Sequence, residues 1–477
     1  MTGRGKKVIF SSIFFLFTFL PVSLALYFIS PMKMKNLTLL AVSLFFYAWG
    51  EPVYVLLMIS SILINFAYGI FIEKLKIENK MALRKVVFLT AVLFNIFIIG
   101  FFKYFGFITD NINLIFNAGI VSRDLPLPIG ISFYTFQVLS YIIDVYLGKV
   151  KLQKNPVSFA LYVTMFPQLI AGPIVRYSDI DSQLENREIS SHKFGEGALR
   201  FIQGLGKKVL IANNMGALWN LTYALDVSTM SAFSAWLGII AYTFQIYFDF
   251  SGYSDMAIGL GRMFGFEFIE NFDHPYVSKS VTEFWRRWHI SLGTWFREYV
   301  YIPLGGNRCS KIKQIRNIMA VWMLTGLWHG ASWNFVIWGI YYGCLLLIEK
   351  MFLKKFLDSM PGIFSHIYCM LAVITGWVFF AIEDIGVAKH YLHIMSGFSK
   401  NPFVDSASLY YFQSYAVILV ISALFCTPLF KKIFSPEENT DNKLQYSIAA
   451  LLHVFILIMS TAYLVTETYN PFLYFRF

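Results

Sequence analysis

Charge is scarce in this sequence. Of its 477 residues 14% are Asp, Glu, Lys or Arg, while 57% are hydrophobic and 19% aromatic. A soluble domain carries roughly 25% charged residues, so the composition excludes an ordinary soluble enzyme and implies a polytopic membrane protein. Cysteine is scarce too. Cys309, Cys344, Cys369 and Cys426 form no C-x-x-C and have no histidine at ligand spacing, so neither a disulfide framework nor a metal site is expected. No Walker A and no G-x-G-x-x-G is present, which removes ATP-driven transport and dinucleotide chemistry. A catalytic serine finds no place either, because Gly252-Tyr253-Ser254-Asp255-Met256 lacks the second glycine of a nucleophile elbow. The net charge of +11 points to loops facing anionic lipid rather than to nucleic acid.

Long apolar runs are what the chain has instead. A spanning helix needs about 20 apolar residues, and residues 8–29 meet that length behind Arg4, Lys6 and Lys7. Ser30-Pro31-Met32-Lys33 offers no small-residue cleavage pattern, so a retained first helix is expected, not a signal peptide. Further spans are predicted at 53–72, 86–102, 129–147, 157–175, 233–250, 318–348, 367–382, 409–430 and 445–466, with 37–49 short for a crossing. The expected fold is all-α, with about 10 to 12 crossings that close their own backbone hydrogen bonds. Chain 1–477 reads as a single membrane-embedded domain with a core at 125–350. Basic loops at 73–85, 193–208 and 308–316 belong in the cytoplasm by the positive-inside rule. The N-terminus is basic as well, so orientation stays open. Residues 432–443, with Lys432, Pro436, Glu437, Glu438 and Asp441, read as a surface loop.

Polar residues inside apolar segments are costly and point to function. They concentrate between residues 242 and 343. Asp249 and Asp255 flank Gly252 at the end of an apolar helix, which is either a helix broken at a polar cavity or a plain interfacial end. Ser280 and Glu283 fit a capping box, starting a helix on which Trp285, Trp288, His289 and Leu292 share one face and Arg286 and Arg287 lie to its side. Such a helix lies on the membrane surface or dips inward to line a cavity. The Tyr301-Ile302-Pro303-Leu304-Gly305-Gly306-Asn307-Arg308 stretch supplies a turn.

His329 stands in the middle of an apolar run, between Trp328 and Gly330. It is either a hydrogen-bonded structural residue or a neutral-pH proton acceptor that activates a hydroxyl. Gly326, Gly330 and Ala331 leave room beside it for a substrate chain or a neighbouring helix. His192, His366, His390 and His393 fall in or beside loops, His453 is alone in an apolar helix and His274 precedes Pro275, so these six read as structural or solvated.

The stretches Tyr247 to Asp255, Phe284 to Leu292, Tyr301 to Arg308 and Trp328 to Phe335 resemble the membrane-bound O-acyltransferase (MBOAT) family, in its bacterial alginate-acetylation and teichoic-acid D-alanylation branch. The Pro126–Phe133 and Phe166–Ile174 stretches and the ending Asn470–Phe477 are similar to that branch too. The resemblance implies helices around a tunnel with two histidines near its narrow middle, by position His329, the essential one, and His289. It implies an acyl thioester arriving from the cytoplasm, acetyl-CoA or an acyl carrier protein, and no bound cofactor. The acyl group leaves toward an extracytoplasmic polysaccharide, through a partner acyltransferase of SGNH type. The bacterial cytoplasmic (inner) membrane is the implied location, with membrane lipid as the surroundings.

Acyl transfer from a thioester to an alcohol needs a base and a stabilised oxyanion. His329 suits the base; His289, with Asn334 or Trp288, suits orienting the thioester or donating to the oxyanion. Arg286 and Arg287 suit either donor phosphates or lipid headgroups, and Asp249 a supporting place. Tyr474, among Phe472, Phe475 and Phe477, belongs to an aromatic interface belt or serves as a candidate acyl relay. The leading function is O-acetylation of an exopolysaccharide or of peptidoglycan. The alternatives are D-alanyl transfer to teichoic acid and, from another class, a transporter of lipid-linked sugar whose broken helices are gates.

Overall fold

The computed structural model describes residues 9–122, 125–170, 172–430, 434, 443–466, 470 and 473. The described residues form helices and turns, with one isolated bridge between Phe272 and Trp288. Six described helices are long and apolar enough to cross a membrane: Tyr54–Ile77, Met81–Phe116, Trp333–Ser359, Gly362–Ala381, Ser406–Phe425 and Ser447–Thr466. Phe15–Ile29 and Ile131–Leu147 are shorter apolar helices. The protein is a multi-pass membrane protein. Its chain falls into two compact units, Met1–Phe201 with Met256–Ile269, and Ile202–Asp255 with Glu270–Phe477.

In the first unit, the basic stretch 73–85 is much less loop than expected. Tyr54–Ile77 runs to a Schellman end in which Asn79 adopts φ 57°, its N–H reaching the Lys76 carbonyl while the Lys80 N–H reaches that of Leu75. Lys74 and Lys76 then sit in the last helical turn, where cations meet the negative end of the helix dipole. Met81–Phe116 starts at once and continues for 36 residues, past both ends of the expected 86–102 span. Asn65 and Asn95 face each other from these two helices and exchange amide hydrogen bonds at 2.7 and 3.2 Å, so each satisfies the other in an apolar setting. The expected 157–175 span is interrupted instead: Pro156–Thr164 ends at Met165, and Phe166–Leu169 is one further turn.

The second unit holds the polar cluster. Ala232–Met263 is an unbroken 32-residue helix, so Asp249, Gly252 and Asp255 lie within it, neither at a break nor at an end. Their polarity is answered by lysines. Lys207 reaches Asp255 at 2.6 Å and Lys208 reaches Asp249 at 2.6 Å, from a π-helical segment, Lys207–Ala212. Gly252 lets the two backbones meet, since a Cβ there would stand 2.7 Å from the Gly204 carbonyl oxygen.

The expected 318–348 span is a helical hairpin, Lys311–His329 and Trp333–Ile348, with Gly330-Ala331-Ser332 between. Gly326 and Gly339 bring its arms together: a Cβ on Gly326 would lie 2.3 Å from the Phe335 carbonyl oxygen, and one on Gly339 2.4 Å from that of Trp322. The second arm continues into a π-turn, Glu349–Leu353, that turns Glu349 inward. This carboxylate is 1% exposed and accepts the N–H groups of Val281 at 2.7 Å and Thr282 at 2.8 Å. An acidic group at a helix N-terminus satisfies orphan donors and complements the dipole. The short Val281–Arg287 helix is thereby tied to a spanning one.

Candidate active site

The segment expected as one helix from Ser280 is two helices. Val281–Arg287 starts as its capping residues require, with Ser280 Oγ accepting the Glu283 N–H at 3.0 Å, while the Glu283 carboxylate reaches the Lys279 N–H. It stops because residues 271–273 capture the following backbone. The Asp273 N–H donates to the Arg287 carbonyl and the Ile290 N–H to that of Asn271, both at 3.0 Å. Between them His289 takes φ 48°, ψ 52°, a left-handed conformation sparsely used by non-glycine residues, and Ile290–Phe296 begins beyond it.

His289 is 3% exposed, edge-on to Phe250 with ring centroids 4.6 Å apart. Burial pushes its pKa well below the ordinary histidine value, because the charged ring loses water, and the imidazole is neutral at physiological pH. Nδ1 lies 3.1 Å from Asn271 Oδ1. The same ring lines an open cavity of about 510 Å³ together with Trp285, Arg286, Trp288, Leu292, Arg297, Tyr301, Trp322, Thr325, Lys350 and Lys354. The lining carries four cations and no carboxylate. Trp285, Trp288 and Trp322 give it an apolar wall, and Trp338 and Tyr342 back Trp285 and Trp322 in a cluster with centroid separations of 4.8 to 6.0 Å.

His329 is the last residue of its helix, not the middle of one, and is 4% exposed. Trp328, Trp338 and Phe380 hold the ring edge-on at 5.1, 5.1 and 5.2 Å. The indole of Trp328 also stands 5.9 Å from the His289 ring, so one tryptophan touches both histidines. The space beside Gly326 and Gly330 is taken by the neighbouring helix: a Cβ on Gly330 would meet the Phe335 ring at 2.2 Å. Asn334 is buried and donates to the Phe379 carbonyl at 3.2 Å.

The remaining candidates divide. Trp288 is buried against Phe284 and Trp377 and faces the cavity. Arg286 lines the cavity; Arg287 is held by Asp273 and Glu283 at 3.1 Å each and is not among its lining residues. Asp249 supports the structure from within: besides its pairing with Lys208, it accepts the Leu473 N–H at 2.9 Å. Tyr474 lies outside the described residues, as do Pro436, Glu437, Glu438 and Asp441 of the expected surface loop. Among the described residues no group of three His, Cys, Asp or Glu side chains is placed to hold a metal ion.

Sequence reasoning missed Asn271, Lys207, Lys208, Glu349, Arg297, Lys350 and Lys354. The lysine pair had a signal, since two carboxylates inside an apolar helix need cationic partners. Asn271 had none.

Residues 153–387 match the membrane-bound O-acyltransferase family. Along its length the chain is 40% identical to a probable alginate O-acetylase of Azotobacter vinelandii, covering 98% of this chain and 100% of the relative. It is 35% identical to the peptidoglycan O-acetyltransferase of Helicobacter pylori, over 83% of this chain and 81% of that one. A teichoic acid D-alanyltransferase of Streptococcus thermophilus is 29% identical over 48% of this chain and 58% of its own. With identity and coverage of this extent, the chain belongs to the membrane-bound O-acyltransferase family.

Proposed function

We propose that this protein is an O-acetyltransferase, taking acetyl from a cytoplasmic thioester for O-acetylation of an extracytoplasmic polysaccharide. The observation that carries the reading is the cavity beside His289: a tryptophan wall, a neutral imidazole and a lining with four cations and no anion. That lining suits a donor with an apolar arm and phosphates, such as acetyl-CoA or a carrier's phosphopantetheine. Arg286, Arg297, Lys350 and Lys354 hold the phosphates, as charge-assisted hydrogen bonds favour, Arg297 giving up for them the surface ion pair it makes with Glu298 at 3.0 Å. Arg287, engaged by two carboxylates, has a structural place.

In this reading His329 takes the proton of the acceptor hydroxyl as the hydroxyl oxygen bonds to the thioester carbon. The C–S bond then breaks, and the proton passes to the departing thiolate. Three aromatic edges fix the His329 ring in place. His289, with Trp288, sits where the thioester enters, and Asn334 and Asp249 hold the helices around it. With Tyr474 as relay, its phenol is the hydroxyl that His329 deprotonates. The tyrosyl ester then passes the acetyl to the acceptor oxygen while the acceptor hydroxyl's proton returns to the phenolate, a transfer that an extracytoplasmic partner acyltransferase of SGNH type completes. The membrane is the bacterial inner membrane. Similarity over 98% of the chain to one acetylating relative and 83% to another, against 48% to a D-alanylating one, favours acetate over D-alanine.

The test is ester content of surface glycans. Acetate and D-alanine are released by mild base from a deletion strain carrying wild type, His329→Ala or Tyr474→Phe. Acetate lost in the deletion and restored by wild type but not by His329→Ala is the expected result. D-alanine lost instead moves the protein to teichoic-acid alanylation. No change in either ester returns it to transport of a lipid-linked sugar. Undiminished transfer by Tyr474→Phe removes the relay alone.

A further inference from the structure

One buried side chain reads out the proton on His289. Asn271 is 0% exposed, and its Oδ1 lies 3.1 Å from His289 Nδ1, 2.8 Å from Ser291 Oγ and 3.3 Å from the Ser291 backbone nitrogen. Its Nδ2 donates to Ser254 Oγ at 3.1 Å. A backbone N–H only donates. The Asn271 atom that meets the Ser291 N–H is therefore the oxygen, and the amide has one orientation. The Ser291 hydroxyl has a single hydrogen, and it is used on that same oxygen. Both atoms facing Nδ1, the Asn271 oxygen and the Ser291 hydroxyl oxygen at 3.4 Å, thus offer lone pairs. Nδ1 has to supply the hydrogen.

We infer that Asn271 locks His289 in the Nδ1–H tautomer, so that Nε2 offers the donor cavity a lone pair and His289 acts in acyl transfer as an acceptor, not as an oxyanion donor. The second nitrogen of a neutral ring follows from the first. The sequence leaves the two roles of His289 open, and this network selects between them. A proton taken up at Nε2 gives an imidazolium whose Nδ1–H stays bonded to Asn271. Asn271 is a positioning residue: it acts on the reaction through the ring. The kinetic part of this inference rests on the acyltransferase reading above; the tautomer does not.

The charged and titratable groups on the elements around the ring are accounted for. Asp249 and Asp255 on the Ala232–Met263 helix are paired with Lys208 and Lys207, Asp273 is paired with Arg287, Arg286, Arg297, Tyr301, Lys350 and Lys354 share the cavity, and His329 lies across Trp328. A new carboxylate at position 271 is then the change that raises the ring pKa, because an opposite charge this close favours imidazolium by about 1 to 3 pH units.

The experiment uses full-length protein in lipid nanodiscs with ¹⁵N-labelled histidine, the His289 signals being those lost in His289→Gln. Wild type is expected to show a protonated Nδ1 and a lone-pair Nε2 at pH 7. Asn271→Asp is expected to keep that tautomer and to move the His289 titration, and the acid limb of acetyl transfer from acetyl-CoA, to higher pH. Asn271→Leu is expected to mix the tautomers and to lower kcat about tenfold or more with KM little changed. A hydrogen on Nε2 in wild type overturns the inference, as does an Asn271→Asp titration that superimposes on wild type. Wild type alone decides the tautomer should both variants fail to fold. Expected ring signals in a protein that transfers no acetyl leave the tautomer standing and remove the acyltransferase reading instead.

Discussion

Two pairs of buried polar side chains answer the same sequence problem differently. Asn65 and Asn95 stand in the middle of long, regular helices and spend their hydrogen bonds on each other and on their own helices. Asn271 and His289 stand where helices break, and their chain of bonds runs from Ser254 through the amide to a ring that lines a cavity. A polar residue in an apolar run is therefore a weak sign of chemistry by itself. The stronger sign is a polar residue around which the backbone gives up its regular ladder, because lipid tolerates that only where protein or a water-filled cavity surrounds the break.

Four sets of substitutions test that contrast, beginning with the largest effect. His329→Ala is expected to lower acetyl transfer at least about 10²-fold in inverted membrane vesicles, with protein abundance unchanged. Abundance lost in parallel with activity makes the residue structural. Next, Asp249→Leu leaves the buried Lys208 ammonium without its carboxylate and is expected to cost about 3 to 5 kcal/mol, measured as thermal unfolding in nanodiscs. Lys208→Met added to it is expected to recover most of that loss.

The cavity cations give a smaller effect of another kind. Lys354→Gln and Arg297→Gln are each expected to raise KM for the thioester donor about tenfold, since a hydrogen bond to a charged group contributes about 1.5 kcal/mol or more, and to leave kcat in place. A change in kcat instead moves these residues from donor binding to the reaction. Smallest is the asparagine pair. Asn95→Leu is expected to cost about 1 kcal/mol in unfolding and the Asn65→Leu, Asn95→Leu double variant less, with transfer unaffected throughout. Loss of transfer in the double variant would erase the distinction between the two pairs.

Much of this was legible in the sequence. Apolar runs gave most spans because in lipid a helix must satisfy itself, and length and composition then suffice. His329 was legible as an imidazole in an apolar run, His289 by its place on a half-polar helix in a stretch that resembles the family, and Ser280 as a helix start. The breaks were not. A helix continues or stops at Trp288 according to whether residues 271–273 capture its backbone, which is a contact between segments and leaves no local pattern. The same holds for Asp249: its helix continues because Lys208, over forty residues earlier in the chain, reaches it from a π-helical turn. A lysine in a stretch rich in charge reads as solvated loop, yet this one is 1% exposed.

The carboxylate of Glu349 ties two kinds of helix together. His289 lies in none of the described spanning helices, but the short helix before it is fastened to one through the two backbone N–H groups that Glu349 holds at residues 281 and 282. The spanning helix Trp333–Ser359 works as a mast and the Val281–Arg287 helix as a spar lashed to it. Whatever tilts the mast, a thicker or thinner bilayer included, carries the imidazole up or down with it.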